Sequence, residues 1–308
     1  MSKRPTLLEQ FRSFCFQNST TDLEKAIEYF AVFGGMGWKV NMFKPLEELI
    51  EEKVLENYRY IHGDITQITQ SNPTYHSLLT ALATGDRREH SAFKKANLKR
   101  EEGEEAIDFL IENGLLVFDK SIEKPVDEKD GNSDKLLFTQ PFMRFWFSSV
   151  SPYYKSIREG DYKEMKEHWN HIKNDFSDLI YDQLVMELMK KSFKDDPKGG
   201  YIASIGSYWD KNVEIDILAK RKSGKMIAGV CKYSKSKANK SELTKLKEKC
   251  AQAELEVDTF VIFSKNKFSS ELKKEKGEKV KLFSLRNLTS LIDDLNEKDL
   301  LIHTNKKY

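Results

Sequence analysis

The 308-residue sequence has few cysteines, no long apolar run and almost no net charge. Each shortage closes a class of protein. Three cysteines (Cys15, Cys231 and Cys250) are odd in number and widely spaced, so they make neither a disulfide framework nor a zinc knuckle. Their thiols are expected to be reduced, as in the cytoplasm. No apolar run approaches the roughly 18–20 residues of a spanning helix, and Met1-Ser2-Lys3-Arg4-Pro5 leads into no signal-type apolar core. The expectation is a cytoplasmic protein without a membrane partner. At 39% hydrophobic and 32% charged, the chain is too apolar for disorder, and its length suits two domains of about 150 residues.

The near-balance of charge conceals an asymmetry. Residues Ile217–Tyr308 carry 22 Lys+Arg against 12 Asp+Glu, a net of +10, which leaves −8 on everything before them. A basic C-terminal third attracts polyanions, and DNA or RNA is the expected partner.

The first 70 residues read as a helical region without an interpretable motif. Helical patterns cover Leu7–Phe16 and Leu23–Phe33, then break at Gly34-Gly35-Met36-Gly37. No Gly-Lys-Ser/Thr follows that cluster, so it reads as a turn and not as a phosphate loop. Pro45 opens a further helix through Ile50.

Residues 71–152 form the next unit. Helices are expected over Thr74–Ala83, Glu89–Ala96 and Arg100 to Asn113-Gly114, where glycine supplies a left-handed stop. Strands Leu115–Phe118 and Lys135–Phe138 then flank a polar loop containing Gly131. Three helices and a two-stranded wing outline a winged helix-turn-helix. Its third helix holds Glu101, Glu102, Glu104, Glu105, Asp108 and Glu112 against Arg100 alone. Phosphates repel such a helix, so a protein contact is expected there in preference to DNA reading, although the wing adds Lys120, Lys124 and Lys129. The aromatic run Phe138–Phe147 is expected to be core. A charged helical linker (153–174) follows. His168 and His171 lie one turn apart on it but lack a third ligand, and read as a surface pair.

Residues 175–308 form the last domain. A helix spans Asp175–Lys191 and a turn Pro197–Gly200. In the strand Asn212–Ala219, alternation puts Glu214 and Asp216 on one face and Val213, Ile215 and Ile217 on the other. Lys222-Ser223-Gly224 turns the chain into the return strand Lys225–Tyr233. A helix (Ser241–Glu254), strands Val257–Phe263 and Val280–Leu285 and a last helix (Leu288–Leu295) complete a mixed sheet flanked by helices. A turn centred on Ser223 sets Asp216 opposite Val230, with Lys232 on the same face as Val230. Acids and a lysine at such neighbouring positions suit metal-dependent phosphodiester cleavage. Carboxylate oxygens hold Mg²⁺, while the metal and the lysine stabilise charge on the attacked phosphate.

Gly206-Ser207-Tyr208-Trp209-Asp210, Glu214-Ile215-Asp216-Ile217 and Gly229-Val230-Cys231-Lys232-Tyr233 resemble the signature of the C-terminal domain of archaeal-type ATPases. That domain of unknown function is similar to PD-(D/E)XK nucleases. The stretch around Pro141-Phe142-Met143-Arg144-Phe145-Trp146-Phe147 resembles the same family's segment between a winged helix and the nuclease-like domain. The resemblance spans roughly residues 70 to 290. It implies an α+β chain: a helical N-terminal region with the winged helix-turn-helix, then an α/β restriction-endonuclease-like (PD-(D/E)XK) domain with a mixed central sheet.

Two departures from the family bear on function. Its P-loop ATPase, which precedes the winged helix, has no counterpart, so ATP hydrolysis has no warrant. The family's Glu-x-Lys triplet is Val230-Cys231-Lys232, so a metal-binding glutamate is replaced by an aliphatic side chain. The resemblance carries over Asp216 and Lys232, and Asp182 in Tyr181-Asp182 where the family's first helix usually has Glu. Asp182, Glu214 and Asp216 are then the candidate Mg²⁺ ligands. Failing a metal, Asp216 and Lys232 would form a cross-strand ion pair. Cys231 is expected to face the sheet's packing, away from Lys232. The expected function is a nucleic-acid-associated protein with a weakened nuclease-type site, binding DNA or RNA through Lys232, Lys235, Lys237, Lys240, Lys245 and Lys247. Two alternatives stay open. One is an active Mg-dependent DNA endonuclease with rearranged carboxylates. The other is an interaction scaffold whose acidic winged helix contacts a protein partner or another copy's basic domain.

Overall fold

The computed structural model describes residues 4–20, 22–124, 126, 132–194 and 200–301. Its contacts divide the chain into two units. The first comprises Met1–Phe118, Lys135–Phe176 and Leu295–Tyr308; the second comprises Asp119–Asp134 and Ser177–Asp294. This division differs from the segments expected from sequence in two places: 119–134 groups with the second unit, and the stretch from Leu295 with the first.

The first unit is helical apart from one pair of strands. Helix α1 (Leu7–Gln17) starts in a capping box between Thr6 and Glu9, and α2 (Leu23–Phe33) is capped by the Asp22 side chain. Helix α3 (Leu46–Ile50) continues as a π-helical turn, Glu51–Leu55, and α4 (Tyr58–Ile68) follows. Next come α5 (Pro73–Thr84), with Asn72 as cap and proline in the first turn, α6 (Glu89–Ala96) and α7 (Arg100–Glu112). The chain leaves α7 through Gly114 at φ 78°, the left-handed stop expected there. Strands β1 (Leu116–Asp119) and β2 (Lys135–Phe138) pair as a two-stranded sheet. Short α8 (Pro141–Phe145) runs on through a π-helical stretch, Trp146–Val150, and a 3₁₀ turn to α9 (Tyr154–Arg158).

The aromatic run lies in this unit's core. Phe142, Phe145, Trp146 and Phe147 are all buried. Trp38 meets Phe142 edge-on at 5.2 Å, Tyr58 stacks on Trp146 at 5.6 Å and Phe145 meets Trp169 edge-on at 5.1 Å. The chain's last described residues return to α1, where Arg12 grips Asp299 in a two-toothed ion pair (2.7 and 3.0 Å) and Leu301 N donates to Ser13 Oγ.

The linker and the following helix are not separate elements. One helix, α10, runs from Lys163 to Ser192, and the break falls earlier, at Gly160. No glycine or proline interrupts residues 163–192, so nothing local stops the helix.

The second unit is built on a five-stranded sheet ordered β3 (Ile202–Trp209), β4 (Glu214–Arg221), β5 (Met226–Lys232), β6 (Thr259–Ser264) and β7 (Val280–Ser284). Strands β3, β4 and β5 are antiparallel to their neighbours, while β5, β6 and β7 run parallel. The sheet is mixed, as expected, but β3 adds a strand the sequence pattern did not reveal. It reads Ile-Ala-Ser-Ile-Gly-Ser-Tyr-Trp and pairs with β4 through two register shifts, so no alternation marks it. Helix α11 (Lys240–Gln252) and short α12 (Ser270–Lys274) complete the connections, and the expected last helix is a 3₁₀ segment, Leu285–Leu291.

Between β1 and β2, Ser121, Ile122 and Ser133 hydrogen-bond to β3. Ile122 N donates to Ser207 O, Ser121 Oγ exchanges hydrogen bonds with the backbone of Trp209, and Trp209 Nε1 donates to Ser133 O. Lys124 is engaged with Ala253 O and Lys120 approaches Asp134 at 3.9 Å, so neither is a free cation. Lys129, Gly131 and most of the Pro197–Gly200 turn lie outside the described residues. Among the described residues, no helix is long and apolar enough to cross a membrane.

Candidate functional site

The site is built at one end of the five-stranded sheet, where β5, β6 and β7 finish and antiparallel β4 begins. Carboxyl ends of parallel strands are the usual place for ligands in such sheets, because loops diverge there. The β4–β5 hairpin pairs Ile217 with Gly229, Leu218 with Ala228, Ala219 with Ile227 and Lys220 with Met226. These pairs are symmetric about Ser223. Asp216 Oδ2 accepts a hydrogen bond from Cys231 N at 2.8 Å, which fixes the carboxylate beside β5.

Strict alternation fails at this point. Gly206 pairs with Leu218 and Tyr208 with Ile215, so Asp216 and Ile217 together face the single residue Ser207, whose hydroxyl donates to Asp216 O. This β-bulge rotates the strand. As a result Ile215 and Leu218, three residues apart, pack in one apolar cluster with Tyr208, Ala228 and Leu246. Val213 and Ile215 share this cluster as expected, the expectation is corrected for Ile217 alone, and Glu214 lies exposed at the strand's start.

The packing expected around Cys231 includes acids. Its thiol is hydrogen-bonded to Asp182 of α10, with Asp216 and Asp178 nearby. Burial first, and then these carboxylates, push the thiol well above its ordinary value, so it stays protonated and donates. Beside it, Tyr181 is fully buried, and its hydroxyl oxygen makes no hydrogen bond among the described residues. Burial also drives that hydroxyl's pKa upward, helped by Cys231, Asp182 and Tyr233. The Tyr181 and Tyr233 rings lie 4.8 Å apart, and Lys265 Nζ sits 4.2 Å over the Tyr233 ring.

Lys232 does not pair with Asp216. Its Nζ lies 2.8 Å from Glu242 Oε1 of α11, with both side chains only 22% exposed. Glu242 is the residue that sequence reasoning missed. Only the acid's place in the first turn of the next helix hinted at it. Val230, partly buried, packs against both apolar clusters of this unit, whose members include Leu218, Leu246 and Leu243.

These residues do not fit a Mg²⁺ site. Among the described residues no three His, Cys, Asp or Glu side chains are grouped to hold a metal ion. Asp182 and Asp216 flank a protonated thiol, Glu214 is exposed, Val230 offers no oxygen, and Lys232 is neutralised by Glu242. The arrangement gives no set of hard oxygen ligands around one point.

The lysines expected to bind nucleic acid follow β5 and run along α11, from the finishing end of β5 back toward the start of β6. Lys235 and Lys237 stand exposed on the loop leaving β5, and Lys240, Lys245 and Lys247 stand exposed on α11. Lys240 pairs with Glu275 at 2.5 Å, and Lys247 lies 5.6 Å from the Phe260 ring centre.

A family model described as archaeal and bacterial proteins of unknown function, DUF234, matches residues 146–245. No curated protein matches the chain. The crystal structure of protein VC1899 from Vibrio cholerae is similar at 12% identity and a TM-score of 0.27, over 74% of this chain and 55% of that one. The chain thus spans about half the length of that protein.

Proposed function

We propose that the chain is a nucleic-acid-associated protein in which a PD-(D/E)XK-like domain binds DNA or RNA without efficient cleavage. In this reading the five-stranded sheet with α10 and α11 is the nuclease-like fold, and α5–α7 with β1 and β2 are a winged helix. The observation that carries it is Val230, a partly buried aliphatic side chain packed against both apolar clusters, at the position where the resemblance to these nucleases calls for a metal-binding carboxylate. The retained Asp216 carboxylate spends a lone pair on Cys231 N, and the retained lysine is held by Glu242. The exposed lysines of the β5–α11 region supply the attraction for phosphates. The six exposed acids of α7 make that helix a poor phosphate reader, which assigns nucleic-acid contact to the second unit alone.

Duplex-DNA binding by the full chain, followed by fluorescence anisotropy across a salt series, tests this. Affinity is expected to fall steeply with salt. The Lys245→Glu/Lys247→Glu double variant should bind at least about tenfold more weakly, with a log–log salt slope shallower by about 1.8, since each phosphate contact contributes about 0.9. Absent or salt-independent binding by the natural chain would overturn the reading.

One observation favours a second reading. Glu242 places a carboxylate 2.8 Å from the lysine amine, and a Mg-dependent endonuclease with rearranged acids would use Glu242 in place of the missing glutamate. Mg²⁺-dependent cleavage lost in both Asp216→Ala and Glu242→Gln would establish that reading.

A further inference from the structure

We propose that the first unit holds a separate binding site for a small organic anion, in the cavity bordered by α1, the glycine cluster after α2 and the turn after α7. The cavity has a volume of about 200 Å³. That is below the 300–1,000 Å³ of pockets for drug-sized ligands, so its occupant is correspondingly small. This site is independent of the nucleic-acid reading, because every residue lining it belongs to the first unit.

Its chemistry is uneven in an informative way. Among the described residues lining the cavity, Arg4 alone carries a charge, and no carboxylate pairs with it. Arg4 is held in place by donating to Ile111 O (2.9 Å) and Glu112 O (2.7 Å) at the end of α7, so the cation is positioned without being neutralised. Ser13, 8% exposed, accepts from Leu301 N, yet its own hydroxyl proton donates to nothing among the described residues. The N–H groups of Gly35 and Gly37 in the wall are likewise used by no hydrogen bond among the described residues. A guanidinium and several unspent donors, without an opposing acid, are the complement of a carboxylate or a phosphate.

A second, independent observation concerns Gln10, also 8% exposed. Its Nε2 donates to Thr139 O (2.9 Å) and Pro5 O (3.3 Å). Both partners can only accept, so the amide orientation is fixed and Oε1 is the remaining atom. That buried oxygen has no hydrogen-bond partner among the described residues. An unsatisfied buried acceptor is costly, and a hydroxyl or amine on the ligand would satisfy it. Phe14, Phe33 and Leu301 supply apolar lining for the ligand's body. Gly35 lies against Gln10 at φ 89°, and a Cβ there would come within 2.8 Å of Gln140 Cγ and 3.1 Å of Gln10 Oε1, so a side chain at this position would crowd the wall. The glycine cluster that lacked a phosphate-loop lysine thus acquires a role as cavity wall.

The experiment is an NMR titration of the full chain with 4-hydroxybenzoate, phenyl phosphate and the neutral control benzyl alcohol, followed at the amides of Gly35 and Gly37. At least one anion is expected to shift these amides with a Kd of about 1 mM or tighter, and the alcohol should bind at least about tenfold more weakly. The tighter anion tells a carboxylate ligand from a phosphate one. Arg4→Gln should weaken the anion about tenfold and Arg4→Lys much less. The wild-type titration decides the matter even if Arg4→Gln fails to fold. The proposal is overturned if neither anion moves those amides up to about 10 mM, if the alcohol binds as well, or if a folded Arg4→Gln binds unchanged.

Discussion

Replacing Glu242 by Gln removes the carboxylate that holds the Lys232 amine, and the consequences can be sized. Exposed ion pairs contribute roughly 0.2–1 kcal/mol, whereas removing one member of a fully buried pair costs about 3–5 kcal/mol. At 22% exposure on each side the pair lies between these limits, so Glu242→Gln should cost about 1–2 kcal/mol in unfolding free energy. Nucleic-acid binding should move the other way. A freed Lys232 adds one phosphate contact, steepening the log–log salt slope by about 0.9. Between 50 and 200 mM salt, that one contact alone should increase the loss of affinity by about 3.5-fold. Urea unfolding and anisotropy titrations on the same preparation read both effects. An unchanged salt slope together with unchanged stability would refute the claim that Glu242 restrains Lys232.

Three further outcomes follow from other parts of the molecule. Phe142→Ala should destabilise the protein by about 3–5 kcal/mol in urea unfolding, because the ring is fully buried against Trp38, Phe145 and Trp146; a change below about 1 kcal/mol would show that the ring is not core. Burial pushes the Cys250 thiol up to about 11 and the Cys231 thiol well above its ordinary value, so both should resist iodoacetamide at pH 8 until the chain is unfolded, and a native Cys231 adduct seen by mass spectrometry would contradict the description of the site. The hydrogen bond from Arg12 holds Asp299 below its ordinary pKa, so this pair stabilises the fold above about pH 4 and ceases to do so as pH falls through the depressed value. Arg12→Ala should therefore lower the melting temperature at pH 7, and the gap from the natural chain should narrow as pH falls below about 4 through the depressed value; a gap that did not narrow on acidification would assign the effect to something other than this pair.

What the sequence discloses depends on whether the cause is local. Helices α5, α6 and α7 are bounded by Asn72-Pro73, Asn97 and Gly114, residues that act on their own backbone, and their limits are legible to within a residue or two. The β4–β5 register is legible for the same reason, since the tight turn at Lys222-Ser223-Gly224 fixes which residues face each other. Strand β3 is hidden because its order comes from pairing with β4 and from the residues after β1 running beside it, neither of which leaves a periodic pattern in Ile202–Trp209. Alternation also misplaces Ile217 relative to Val213 and Ile215, because the bulge at Asp216 and Ile217 arises from pairing with β3. The pairing of Lys232 with Glu242, and of the Cys231 thiol with Asp182, depends on how α11 and α10 pack on the sheet, which the spacing of residues along the chain does not encode.

Plasmid nicking in Mg²⁺ or Mn²⁺, run beside a gel-shift of the same DNA at the same protein concentration, puts an aliphatic residue in a nuclease-type site to the test most directly. The prediction is retarded DNA that stays intact, for the natural chain and for Asp216→Ala alike. Rapid nicking by the natural chain that vanishes in Asp216→Ala would show that Val230 does not disable the site.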